Sequence, residues 1–290
     1  MVTPSSTKPS RPQLRSIRLH PVKSTAIRPV ASAVLEPWGL AGDRRWMVVD
    51  ATGECVTARE LPALFTLSAD TPETRSELPG PLRLSAPGHP SIDVALPVGE
   101  PIDLSVHGRG LGGILADAES THWVRSVLGR PDVRLAYAVR PRPLNPAYAE
   151  PGDATACADA YPVTLASAAS LRQLAEWIAT GARGRGEEPA DVTMDRFRPN
   201  LVIDGDLEPF AEDGWSHITI GAVTLRVVKG IERCAMTLRD PQTLQSQAEP
   251  IRTLARHRKW EGATWFGRQL IPDTLGTIRV GDPVTTWPGG

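Results

Sequence analysis

The chain has 290 residues, which at about 150 residues per domain suits two modest domains or one large one. Its 41% hydrophobic and 22% charged composition is that of an ordinary globular protein, excluding wholesale disorder, a collagen-like repeat and a disulfide-dense mini-protein. A formal net charge of −1 creates no long-range field for nucleic acid or an anionic membrane, although it can conceal a local patch.

Residues 1–13 read as a disordered tail without the apolar core of a signal peptide, and no stretch nears the ~18 apolar residues of a membrane span. Cys55, Cys157 and Cys234 are odd in number and far apart, which fits a reducing compartment, so a cytoplasmic location is expected. From Leu14 onward, short β-rich runs (LRSIRLH, ASAVLE, RRWMVVD, LFTLSAD, PLRLSA, SIDVAL) alternate with Pro and Gly turns, the pattern of a barrel or sandwich. A helix is expected over 114–128, closed by Gly129 and Pro131, followed by the strand VRLAYAV. The proline-rich stretch 140–153 marks a domain boundary.

In the second half Leu171, Leu174, Ala175 and Ile178 recur at helical spacing, and the helix start falls at Ser167 or Ser170. Strands then follow at NLVIDG, HITIG, VTLRVVKG, WFGRQL, GTIRV and PVTTW, with a helical insert near 250–258. The expected fold is mixed α/β and mainly β, with two barrel-like units over 14–140 and 150–288.

Familiar chemical motifs fail. HGRGLGG at 107–113 formally satisfies GxGxxG but lacks βαβ context and an acidic residue at the next strand end, so it reads as a glycine-rich turn into a helix. The six histidines show no metal-ligand spacing, and DGD at 204–206 lacks the rest of a calcium loop. Four polar clusters at strand ends remain: Lys23 and Ser24 in HPVKS, Asp43 and Arg44 in GDRRW, Arg198 and Asn200 in RFRPN, and Arg233 and Cys234 in IERCAMT. Arginine forks and a lysine suit a phosphate-bearing anion. A cation beside Cys234 favours the thiolate that ligates a soft metal or carries sulfur. Cys55 and Cys157 read as packing residues.

The ordered series HPVKS, GDRRWMVVD, VTARELPALF, RFRPNLVIDG, AEDGW, RVVKGIERCAMT, LRDPQT and GTIRVGDPV resembles the MOSC family, in the branch with an N-terminal MOSC β-barrel domain that includes the amidoxime-reducing components. The resemblance implies a molybdenum–molybdopterin cofactor (Moco) between the halves, with Cys234 as metal ligand and catalytic centre. It also implies that Lys23, Ser24, Arg44, Ser167, Arg198, Asn200 and Arg233 hold the cofactor. The implied activity is reduction of small N-oxygenated compounds. No cysteine cluster follows Cys234, so the electrons are expected from a separate ferredoxin or flavin reductase-like donor. The alternative function is sulfur or cofactor carriage on Cys234, as proposed for MOSC domains of molybdenum cofactor sulfurases. One departure stands out: relatives commonly have Cys-Ser where this chain has Ile231-Glu232, which puts a carboxylate beside the expected anion site.

Overall fold

The computed structural model describes residues 11–289. Residues 1–10 of the expected tail lie outside the described residues, whereas Gln13 already opens the strand Gln13–Leu19. The protein is mainly β, with three α-helices among the described residues: α1 (Ala118–Leu128), α2 (Ala168–Arg185) and α3 (Ile251–His257).

The largest sheet has nine strands, built mostly from the second half of the chain. Val163–Ser167 runs parallel to Leu201–Asp204, a pairing that needs a long crossover, and α2 supplies it. The N-terminal strands are part of the same body. Gln13–Leu19 pairs antiparallel with Leu201–Asp204, and Ser32–Glu36 pairs with Gly276–Arg279. Apolar residues alternate along these strands, so Leu14, Ile17, Leu19 and Leu35 enter one core with Leu165, Ile218, Leu225 and Ile278. The rest of the first half forms a four-stranded sheet (Trp46–Val49, Arg134–Arg140, Arg109–Leu115, Ile102–Val106) and a three-stranded sheet (Ser68–Asp70, Leu82–Ala86, His89–Val94). These sheets and α1 enclose a second core around Trp46, Leu64, Trp123 and Leu135.

Two local readings differ from the sequence expectation. Residues 114 and 115 finish a strand, and α1 starts at Ala118 because the Asp117 side chain caps it by accepting from Ser120 N. The glycine-rich segment is a hairpin, not a turn into a helix. His107 and Gly108 take positive φ (52° and 70°), the combination a two-residue primed turn needs, and Arg109–Leu115 returns as a strand. The α2 start is settled at Ser167, whose side chain accepts from Ser170 N.

Candidate functional site

Chain segments from both halves converge on a cleft of about 330 Å³. Eight of its lining side chains are Lys or Arg, against two carboxylates, Asp159 and Glu232. The near-neutral chain therefore carries a concentrated positive patch at one place.

Three of the sequence-predicted residues sit in the cleft wall with left-handed backbone: Ser24 (φ 70°), Arg44 (φ 49°) and Arg198 (φ 51°). Such backbone costs about 1–3 kcal/mol per non-glycine residue and clusters where function holds it in place. At each position it turns the chain as a strand ends or begins. Lys23 and Ser24 follow Gln13–Leu19, Arg44 precedes Trp46–Val49, and Arg198 precedes Leu201–Asp204.

Arg44 is aimed by neighbours. Its Nη1 donates to Asp43 Oδ2 and, at 3.0 Å, to Asn200 Oδ1. Asp43 is buried, and Arg44 and His20 hold its carboxyl below the usual range although burial pushes the other way. Arg198 donates from Nη2 to Thr25 O at 2.6 Å and lies over the Phe65 ring at 5.2 Å, while its buried Nη1 finds no partner among the described residues. Arg233 spends its N–H groups on the Phe266 carbonyl (2.8 and 2.6 Å) and the Phe197 carbonyl (3.0 Å). Neither Arg198 nor Arg233 meets a carboxylate among the described residues. Burial, aided at Arg198 by the Arg44 charge, pushes both down to about 9. They remain cations at neutral pH, desolvated and with carboxylates near but none in ion-pair contact, which is a condition an incoming anion relieves.

Cys234, by contrast with Cys55 and Cys157, is part of the cleft wall. Burial pushes the thiols of Cys55 and Cys157 up to about 12, so they stay protonated packing groups. Arg59 Nε donates to Cys234 Sγ at 3.1 Å. The same guanidinium reaches His107 Nε2 at 3.1 Å and Asp159 Oδ2 at 3.4 Å. Asp159 Oδ1 in turn accepts from Lys23 Nζ at 2.5 Å and lies 3.1 Å from His107 Nε2. Desolvation works against the Asp159 charge, yet Lys23, His107 and Arg59 hold its carboxyl well below the usual range. One imidazole nitrogen cannot serve both neighbours. An Nε2 without hydrogen accepts from Arg59, whereas an Nε2 that carries hydrogen, in the neutral tautomer or the imidazolium, donates to Asp159. Behind Cys234, Arg196 fastens the following loop by donating to Leu238 O (3.0 Å) and Gln247 Oε1 (3.1 Å).

The sequence model of the MOSC domain matches residues 153–285, and that of the MOSC N-terminal beta barrel domain matches 11–131. Mitochondrial amidoxime-reducing component 1 of Homo sapiens is 32% identical over 92% of this chain and 80% of its own length. The chain belongs to the MOSC family. Among other relatives, mitochondrial amidoxime-reducing component 1 of Mus musculus is also 32% identical, over 92% of this MOSC chain and 79% of that protein. Molybdenum cofactor sulfurase of Danio rerio is 33% identical over 89% of the chain, which spans only 31% of that longer protein.

Of the residues expected from the MOSC resemblance, Lys23, Ser24, Arg44, Arg198, Arg233 and Cys234 meet in the cleft. Asn200 and Ser167 do not line it. Asn200 is fully buried and braces the cleft from behind, accepting from Arg44 Nη1 and from Thr164 Oγ1 and donating to Arg18 O, each at 3.0 Å. Ser167 is fully buried as the α2 cap, and its Oγ also meets Glu212 Oε2 at 3.1 Å. Arg59, His107 and Asp159 escaped the sequence reading. The only available signal for Arg59 was its place in VTARELPALF, one of the motifs that carry the MOSC resemblance. Glu232 neither pairs with an arginine nor is withdrawn from the cleft: it lines the wall and is exposed. No helix among the described residues is long and apolar enough to cross a membrane.

Proposed function

We propose that the protein is a molybdenum-cofactor-dependent oxidoreductase that reduces N-oxygenated compounds, with Cys234 as the metal ligand. The observation that carries the reading is the pairing, in one cleft, of a cysteine in hydrogen-bond contact with Arg59 and two desolvated arginines that make no ion pair with a carboxylate among the described residues. That donor set fits the cofactor. A thiolate suits a soft metal, and the orphaned Nη1 of Arg198 asks for an anionic acceptor.

In this reading Lys23, Ser24, Arg44, Arg198 and Arg233 hold the pterin and its phosphate, Asn200 aims Arg44, and Ser167 holds the α2 start. When bound, the cofactor supplies two-electron oxygen-transfer chemistry. The chain's own residues orient it, ligate it through Sγ and leave the cleft mouth open to substrate. Arg59 fixes Sγ from the first half of the chain, and outer contacts of this kind typically matter 10–100-fold for metal retention or activity. The electrons come from a separate ferredoxin or flavin reductase-like protein. A cytoplasmic location belongs to the same proposal, while the human and mouse relatives carry mitochondrial names.

The test is elemental analysis and turnover of Cys234→Ser. Wild-type protein is expected to carry about one molybdenum per chain and to reduce benzamidoxime, and the variant to lose at least tenfold in both. A variant with wild-type molybdenum and turnover overturns the assignment, as does wild-type protein that never carries molybdenum when produced in a cofactor-making host.

The second reading, sulfur or cofactor carriage on Cys234, is favoured by the similarity to a molybdenum cofactor sulfurase. A persulfide on Cys234 in molybdenum-free protein, with no reductive turnover, selects it.

A further inference from the structure

The two carboxylates of the cleft differ in what surrounds them. Asp159 is committed to Lys23, Arg59 and His107. Glu232 is exposed, and its side chain makes no hydrogen bond or ion pair among the described residues. A carboxylate without a cation of its own weakens an anion site and adds nothing to its construction. It does suit an incoming cation.

Its position is informative. Glu232 ends the strand Val223–Glu232 two residues before Cys234, within about 7 Å of backbone reach. Across the sheet it is opposite Trp265, and cross-strand partners present side chains on one face. The Trp265 ring packs so closely on cleft residue Gly230 that a Cβ there would lie 2.8 Å from it. Trp260, 42% exposed, stacks on Trp265 at 6.0 Å between centroids. The neighbouring cation Arg258, over the Trp260 ring at 4.6 Å, already has Asp213 as its ion-pair partner. The cleft rim beside Cys234 therefore offers one hydrated carboxylate with an aromatic flank.

We propose that Glu232 is a product-binding residue that holds the amidinium or guanidinium cation formed when N-oxygenated amidines and guanidines are reduced. The inference rests on the reductase reading above. Reduction of an amidoxime takes up two electrons from the ferredoxin or flavin reductase-like donor and three protons. The N–O bond breaks, the oxygen leaves as water with its own hydrogen and one of the protons, and the other two go to the nitrogen it leaves, giving a planar amidinium. That cation presents two N–H donors to the two oxygens of Glu232, the geometry of a bidentate charge-assisted pair. Its aryl or alkyl body lies toward Trp265 and Trp260.

The test compares benzamidine with its neutral isostere benzamide by calorimetry on the full chain purified with its cofactor, wild type against Glu232→Gln. Glu232 is exposed and unpartnered, so its replacement removes no structural contact. Wild-type protein is expected to bind benzamidine at least tenfold more tightly than benzamide, which corresponds to about 1.4 kcal/mol. The variant is expected to bring the two within about twofold by losing benzamidine affinity alone. A variant that keeps the preference, or a wild type without one, overturns the inference. Molybdenum content and benzamidoxime turnover on the same preparations separate the two claims. Discrimination without molybdenum or turnover leaves the Glu232 site standing and removes the reaction, whereas turnover without discrimination removes Glu232 alone.

Discussion

His20 is fully buried beside the cleft, its Nδ1 3.3 Å from Asp43 Oδ1 and its Nε2 without a partner among the described residues. Burial, then the charges of Arg44 and Arg198, push its pKa down to about 3. The folded ring stays neutral where an unfolded histidine, near 6.5, takes a proton. As pH falls from about 6.5 toward 3, the unfolded chain binds more protons and stability drops, by up to about 1.4 kcal/mol per unit. Asp43, held low, adds a loss of its own only below about pH 4, where an unfolded aspartate protonates. In urea unfolding at pH 7 and pH 5, wild-type protein is expected to lose about 2 kcal/mol more than His20→Gln. Equal losses would show that His20 does not set the slope. At this scale the sequence was legible where chemistry is local. Cys234 was marked by its adjacent arginine and its motif, whereas Cys55, in a β-rich turn after Glu54, and Cys157, in ACADAYP, have no cation beside them. Arg59 meets Cys234 across 175 positions, a distance no spacing rule spans. Ser167 carried a correct capping signal, but the buried Glu212 that absorbs its hydroxyl lies 45 residues on.

Among the elements, the strand Ala263–Pro272 joins two strands that line the cleft and adds Gln269 to its wall. It pairs on one side with Val163–Ser167 and on the other with Val223–Glu232, the strand that leads to Cys234. Gly267 lets it pass. Its φ is +79°, and an added Cβ would lie 2.6 Å from Leu165 O and 3.2 Å from Arg233 Nη2. Gly267→Ala is expected to cost at least about 2 kcal/mol, from the left-handed backbone and the displaced neighbour together, read as a lower urea midpoint at unchanged m. A neutral outcome would mean that the sheet yields locally without moving Arg233. Periodicity revealed this strand as WFGRQL and the long helix α2, because burial of one face writes itself into 2.0- and 3.6-residue spacing. It did not reveal the hairpin at His107. A run of glycines has no side-chain period, and the close approach of Leu104 to Gly113, 2.5 Å from a hypothetical Cβ, is tertiary information.

For the whole molecule, the decisive feature is how the first strands are used. Gln13–Leu19 and Ser32–Glu36 complete sheets whose other strands belong to the second half, and Leu14, Ile17 and Leu35 complete its core. A fragment of residues 150–290 is therefore expected to lack a cooperative unfolding transition and to aggregate, from an exposed edge at Leu201–Asp204 and an unfilled core. A well-dispersed amide spectrum from that fragment would contradict it. An expectation of two halves was readable from length and the proline-rich stretch at 140–153. Their interlacing was not, because register between strands nearly 190 residues apart has no local sequence correlate.

That interlacing also sets the earliest moment at which the cleft exists. Its wall draws on Lys23, just after the strand Gln13–Leu19, and on Gln269, near the last strands, and the sheet pairing of Ser32–Glu36 waits for Gly276–Arg279. During synthesis on the ribosome these N-terminal strands emerge with only their local partners, Arg28–Val30 and Gly39–Leu40, and their long-range pairings wait for Leu201–Asp204 and Gly276–Arg279. The anion site and Cys234 are therefore expected to be assembled only after Gly276–Arg279 has been made, and loading of any bound group to follow that pairing.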